Sequence, residues 1–305
     1  MSLPDYIRFR EGEGDSSPPS SSGAPDVLII KIGGGAAIDD VVFGHFAADL
    51  ARLARPAVVV HGGNAAFSGL CDALGIPPRM ITSASGRVSR YTGAATMDAM
   101  LMAYCGKVNK RLVARCQAAG VNAVGLSALD GAIASGHRKA VLRGSEDGKL
   151  KVLRDDHSGS IDLVDTRLLT LLLEAGYVPI VTPPALGEEG VPINVDGDKL
   201  AVELAVALNA EGLLFFSDTP GLLADRDDEA SLIRTIDASA PEAALAAAAG
   251  RMVVKVEAAL GAVARGVGQV IFADGRVARP IERALAGEGS VVRAGAPVVA
   301  TAARP

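Results

Sequence analysis

"LIIKIGGGAAIDD" (residues 28–40) closes an apolar, β-forming run with Lys31, Ile32 and three consecutive glycines. A strand that ends in glycines ahead of a helix brings backbone N–H groups within reach of an anion. Two common phosphate-binding patterns are excluded by order and spacing. The lysine precedes the glycines, so this is not G-x-x-x-x-G-K-S/T, and the run is not G-x-G-x-x-G. Taken alone, the stretch reads equally well as a lysine snorkelling from a strand end beside a tight turn.

The same punctuation returns downstream. "AVVVHGG" (57–63) is a second strand candidate ending in glycines, and helical patterns follow both, over 39–54 and to about Leu74. Residues 94–120 read as one long helix stopped by Gly120, and "VNAVGLS" (121–127) as a strand. This β-α-β-α order predicts an α/β fold, a three-layer αβα sandwich around a mainly parallel sheet with right-handed crossovers. The pattern then changes. "KAVLRGSEDGKLKVLRD" (139–155) carries two β runs around Asp147-Gly148, a hairpin signal. A helix over 164–176, a strand over 177–183 and the helix "DGDKLAVELAVALNA" follow. "EGLLFFSDTPGLL" reads as a strand and loop, "GRMVVKVEAALGAVARG" as a helix, and "GQVIFADG" as the closing strand. Pro, Gly and Glu cluster in "PPALGEEGVP", which predicts a lobe boundary between Leu186 and Val191. That divides the chain into an N-terminal lobe (26–187) and a C-terminal lobe (188–305). Residues 1–25, rich in Ser, Pro and Gly, are expected to form a disordered tail.

Composition agrees with this class. Of 305 residues, 49% are apolar and 21% charged, and there is no Trp, so the core is aliphatic, as in sheets covered on both faces. A formal charge of −5 argues against a nucleic-acid partner. Cys71, Cys105 and Cys116 show no C-x-x-C spacing, which reads as reduced thiols in a cytoplasmic protein. Four histidines lack metal-ligand spacing, and no metal site is expected. No apolar run is long enough for a membrane helix, and the N-terminus lacks a secretory core.

Four features place polar groups or glycines at strand ends or in the next helical turn, where open α/β sheets bind ligands. Lys31 with Gly33, Gly34 and Gly35 could supply fixed positive charge and N–H donors to a phosphoryl group. Gly62 and Gly63 in "VVHGGNAA" could hold a carboxylate, while His61 reads better as a structural hydrogen-bonding residue than as a base. "INVDGDKLAVELA" (193–205) puts Asn194, Asp196 and Asp198 at alternate positions, more than one helix cap requires. "SDTPGLLAD" (217–225) is a turn able to border a nucleotide, and Lys255 in "GRMVVKVEAA" lies on an aliphatic helix whose valines imply partial burial.

In order along the chain, "KIGGG", "HGGN", "SRYT", "YCGKVNKRLV", "GLSALDG", "NVDGD", "SDTPGLL" and "RMVVKV" resemble the amino acid kinase family, in its N-acetylglutamate kinase branch. The resemblance spans nearly all of residues 27–292. It implies an N-terminal lobe that binds the acyl substrate and dimerises, and a C-terminal lobe that binds ATP with Mg²⁺. It implies that Lys31 and Lys255 stabilise the transferring phosphoryl group and that Asp198 organises both lysines. Gly62, Gly63, Arg90 and Asn194 then clamp the substrate. Gly33, Gly34, Ser217, Asp218, Gly221, Leu222, Leu223 and the loop through Ala249 meet ATP, with no protein ligand for the metal.

"PPRMITSASGRVSRYT", "GLSALDGAIASGHRKAV", "VTPPAL" and "FADGRVARPIERALAGEGSVV" look closer to the kinases of 2-aminoadipate or glutamate attached to a small acidic amino-group carrier protein, the LysW type. Arg138, Lys139, Arg143, Lys149, Lys151 and Arg154, on or beside the hairpin, would then face the carrier's acidic tail. The alternative is a kinase of free N-acetylglutamate. A reading from another class, a non-catalytic nucleotide or effector sensor on the same fold, would be favoured were Lys31, Asp198 or Lys255 missing. All three are present.

Overall fold

The structure, a computed structural model, describes residues 26–83, 88–138, 142–146, 149–153, 155–248 and 250–295. The N-terminal tail, Lys139, Asp147-Gly148, Arg154 and Ala249 lie outside the described residues.

The chain runs β1 (Leu28–Ile32), α1 (Asp40–Leu50), β2 (Ala57–His61), α2 (Asn64–Ala73), β3 (Met80–Ser83) and β4 (Val88–Arg90). Next come α3 (Ala94–Leu101), a π-helical segment (Met102–Val108) and α4 (Asn109–Ala118). Strands β5 (Ala123–Ala128), β6 (Ala134–Arg138), β7 (Leu142–Glu146), β8 (Lys149–Leu153) and β9 (Gly159–Val164) follow. Then come α5 (Arg167–Glu174), β10 (Val178–Leu186), β11 (Pro192–Ile193) and α6 (Gly197–Ala207). The remainder is β12 (Gly212–Ser217), β13 (Thr235–Asp237), α7 (Glu242–Ala247), α8 (Arg251–Ala264), β14 (Gln269–Asp274), α9 (Pro280–Leu285) and β15 (Ser290–Arg293).

Eleven strands form one sheet in the order β13-β15-β14-β12-β1-β2-β10-β6-β9, with β5 and β11 also pairing with β10. From β14 through β12, β1 and β2 to β10 and β5 every pairing is parallel, as the alternating order of strands and helices requires. Strands β4, β3, β7 and β8 make a separate antiparallel sheet, in which the expected hairpin is registered Glu146↔Lys149. One expectation is corrected: β14 does not close the sheet. The four-residue β15 lies antiparallel beside it, and β13 pairs in parallel with β15. Strands this short leave no periodic signal to read.

Strand periodicity then decides where the lysine goes. β1 is buried along its whole length. Leu28, Ile30 and Ile32 enter one apolar layer with Phe46 of α1 and Leu112 of α4, and Phe46 meets Phe216 edge-on with ring centroids 4.9 Å apart. Ile29 enters the opposite layer, beneath Leu200 and Leu204 of α6 and Val256 of α8. Successive side chains alternate faces, so Lys31 shares Ile29's face and is carried under the starts of α6 and α8.

Candidate active site

Lys31, Asp198 and Lys255 meet at that point. The Lys31 Nζ stands 2.5 Å from Asp198 Oδ1, and the Lys255 Nζ stands 3.8 Å from Asp198 Oδ2. Lys31 is buried, and Lys255, half-buried, lies 5.9 Å from the centre of the Phe215 ring. Burial alone pushes the Asp198 carboxyl up, but the two ammonium groups outweigh it and hold it below the ordinary carboxylate value. Burial also pulls the Lys255 ammonium below its usual value, with Asp198 opposing and Lys31 adding to the fall. One carboxylate therefore carries two cations, with Asp196 and Asp218 acting on Lys255 as well.

The polar triplet ahead of α6 divides its labour. Asp196 is the helix cap, accepting from the N–H groups of Asp198 at 2.8 Å and Lys199 at 3.0 Å. That frees Asp198 for the lysines. Asn194 donates through Nδ2 to Thr92 Oγ1 at 3.0 Å, and its backbone N–H bonds the His157 carbonyl. Thr92 N–H in turn donates to the fully buried Asp156 at 2.8 Å. Arg90, two residues before Thr92, lays its guanidinium over Phe67 at 4.8 Å and reaches Ser68 Oγ at 3.3 Å. Arg90 and Asn194 thus belong to one connected segment. Thr92, the last residue of "SRYT", and Asp156, which lies in no quoted motif, connect it, and neither was assigned a role from the sequence.

The two glycine loops touch backbone to backbone. A Cβ on Gly34 would sit 2.4 Å from Gly63 N, and one on Gly62 would sit 3.2 Å from Gly34 N and Cα. Only glycine allows that approach. Gly33 N–H bonds the Phe216 carbonyl, Gly62 N–H the Ile32 carbonyl and Gly63 N–H faces the Tyr104 hydroxyl, but among the described residues the N–H group of Gly34 has no backbone acceptor. Gly33, Gly34, Gly62 and Gly63 also line a cavity of about 310 Å³, with Lys107 and Arg111 at its rim.

Further along the strand ends, Ser217 Oγ lies 3.2 Å from Thr219 Oγ1, and Asp218 is exposed. Leu222 and Leu223 are buried, so they shape the turn by packing, and Leu222 N–H donates to Ser290 Oγ at 2.9 Å. A Cβ on Gly221 would fall 2.5 Å from that Ser290 Oγ. His61 is wholly buried and hydrogen-bonded at both ring nitrogens, as expected of a structural histidine. Burial pushes the thiols of Cys105 and Cys116 up to about 11 and about 12, so neither is a nucleophile near neutrality. Among the described residues no group of three or more His, Cys, Asp or Glu could hold a metal ion, and no helix is long and apolar enough to cross a membrane.

The profile described as the amino acid kinase family matches residues 26–274. The LysW-aminoadipate kinase of Deinococcus radiodurans is 51% identical over 250 residues, covering 81% of this chain and 85% of that protein. The enzyme of the same name from Thermus thermophilus is 47% identical, covering 81% and 92%. The acetylglutamate kinase of Methanopyrus kandleri is 36% identical, covering 68% and 78%. Among solved structures, an N-acetylglutamate synthase from Neisseria gonorrhoeae superposes with a TM-score of 0.71 at 24% identity, over 89% of this chain and 60% of that one. Carbamate kinase from Giardia superposes at 0.62 and 15% identity, over 90% and 100%. These two report a shared fold.

Two consequences can be measured. Asp198→Asn leaves two ammonium groups without a counter-charge and should lower stability by about 2 kcal/mol, less than for a fully buried pair. Because Asp198 titrates below its unfolded value, the wild-type advantage should be complete above about pH 4 and vanish only as pH falls through the folded value. Chemical denaturation of both proteins across pH 3–8 checks the sign; a gap that grows toward acid would contradict it. Separately, Gly34→Ala should cost at least tenfold in turnover through the collision with Gly63. Gly35→Ala, where a Cβ meets nothing within 4 Å, should cost little.

Proposed function

The chain belongs to the amino acid kinase family, and from that premise we propose that it transfers the γ-phosphoryl group of ATP to the side-chain carboxylate of 2-aminoadipate or glutamate held on an amino-group carrier protein. It is an enzyme, a phosphotransferase with a carboxyl acceptor, and it uses ATP. The observation that carries the reading is the convergence of Lys31 and Lys255 on Asp198 beside two glycine loops in backbone contact.

The chemistry asks for this arrangement. A carboxylate is already ionised at neutral pH, so no general base is needed. One carboxylate oxygen forms a bond to the γ-phosphorus as the bond to the ADP oxygen breaks, giving an acyl phosphate and ADP. Negative charge spreads over the equatorial oxygens in the transition state. Lys31 and Lys255 oppose it from one side and the N–H group of Gly34 from the other, preorganised and part-buried where charge interactions are strong. Asp198 holds the two ammonium groups at fixed positions. A site with two cations and one carboxylate already shared between them offers no ligand set for a cation among the described residues, so Mg²⁺ would be held by the nucleotide's phosphates and would supply charge neutralisation there.

Arg90 and Asn194 take the acyl chain against Gly62 and Gly63, in an N-terminal lobe over 26–187. Ser217, Asp218, Gly221, Leu222, Leu223 and Ala249 border ATP in a C-terminal lobe over 188–305. The relatives of highest identity named above support the carrier-linked acceptor over free N-acetylglutamate. Basic residues at 138, 143, 149 and 151, on β6, β7 and β8, suit an acidic carrier. A homodimer in the cytoplasm, where three free thiols stay reduced, completes the reading.

Trapping the acyl phosphate with hydroxylamine tests this. Carrier-linked aminoadipate or glutamate should give hydroxamate at a rate that falls steeply with salt, and free N-acetylglutamate should give far less. Lys31→Ala should lose about 10²-fold or more in kcat with ATP affinity nearly kept. Robust turnover of free N-acetylglutamate would move the assignment to that substrate, and a chain that binds ATP but phosphorylates neither would be a sensor.

A further inference from the structure

We propose that His61 and Asn109 are a positioning pair for the second glycine loop, fixing the Gly62–Gly63 peptide against Gly34 so that the Gly34 N–H stays in place for the transferred phosphoryl group. The inference rests on the proposed carboxylate kinase reading of the site.

The hydrogen bonds allow one assignment. Asn109 Nδ2 lies 2.9 Å from the Ile180 carbonyl, which can only accept, so this atom is the amide nitrogen and not the oxygen. The same Nδ2 lies 3.0 Å from His61 Nε2, which must therefore offer a lone pair. His61 Nδ1 then carries the proton and donates it to the Gly62 carbonyl at 2.9 Å. Thr182 Oγ1 donates to the His61 carbonyl at 3.1 Å, and His61, Asn109 and Thr182 are all buried to 1% exposure or less. Desolvation pushes the imidazole down to about 4, so it is neutral throughout the physiological range and keeps this tautomer.

Peptide planarity carries the constraint outward. With the Gly62 carbonyl drawn toward His61, the Gly63 N–H points the opposite way, where it meets the Tyr104 hydroxyl. The helix behind the loop adds a second hold. The Tyr104 ring lies 3.1 Å from where a Cβ on Gly63 would stand, and its hydroxyl donates to Asn64 Oδ1 at 2.8 Å. Tyr104 and Asn109 are five residues apart, about 140° out of phase on an α-helix. The π-helical segment at Met102–Val108, bonded i to i+5, brings them toward one face. A register change of this kind, just where both side chains grip one loop, is unneeded if the two residues merely fill the core.

The discriminating variants are His61→Asn and His61→Gln. The amide nitrogen of Asn stands where Nδ1 does and can still donate to Gly62, whereas Gln reaches only the Nε2 position. His61→Asn should keep kcat within a few-fold, and His61→Gln should lose about tenfold or more with the KM for ATP unchanged. Nitrogen-15 NMR of the wild-type imidazole, which needs no variant to fold, should show the neutral Nδ1–H form from pH 6 to 8. A neutral Nε2–H form, a reversed ranking of the two variants, or losses that simply follow thermal stability would overturn the pair's role. Absence of turnover in the wild type with every acceptor would overturn the functional reading, and this inference with it.

Discussion

Two lysines from distant parts of the chain share one carboxylate, and the arrangement of the sheet around them follows from the need to bring those groups together. Without a counter-charge the ammonium groups of Lys31 and Lys255 would repel in a part-buried setting. Asp198 opposes the burial that pulls Lys255 below its usual value. β1 supplies Lys31 by the alternation of its side chains, α6 supplies Asp198 in a first turn already capped by Asp196, and α8 supplies Lys255. Because β1 is hydrogen-bonded to β2 on one side and β12 on the other, the lysine sits at the junction of the chain's two halves, where strand ends open a cleft.

The glycine loops answer the same constraint from the opposite side. A backbone N–H group adds a directional positive end without a further ionisable group, and backbone contact between Gly34 and Gly63 sets its position. The loops are rigid because each is anchored by its neighbour's carbonyl, Phe216 for the first and Ile32 for the second. Catalysis by alignment and charge compensation needs such rigidity more than it needs acid–base groups, in keeping with the neutral, buried histidine and unreactive thiols nearby.

How much of this is legible in the sequence depends on the kind of signal. "LIIKI" and "AVVVH" announce central parallel strands because strands buried on both faces read as continuous apolar runs. Strands of two to four residues, β11, β13 and β15, carry no such run. The motif order was enough to single out Lys31, Asp198 and Lys255, but their meeting is tertiary: nothing local in "RMVVKV" says that its lysine reaches the acid in "NVDGD". Asn109 and Thr92 were missed for a related reason. A polar residue inside a helix or after a short strand looks solvated until the structure buries it. The switch to π-helical bonding at Met102–Val108, within the stretch read as one helix, likewise has no signal in the apolar pattern.

The account stands on the claim that both lysines act on the charge of the transition state rather than on bound ATP. The most direct measurement is the affinity of ADP with Mg²⁺ and aluminium fluoride, a planar mimic of the transferring phosphoryl group, for wild type, Lys31→Met and Lys255→Met. Each variant should bind the mimic about 100-fold or more weakly while its affinity for ADP alone changes less than tenfold. Parallel losses for the mimic and for ADP would make the lysines nucleotide-binding groups only, and would contradict the claim.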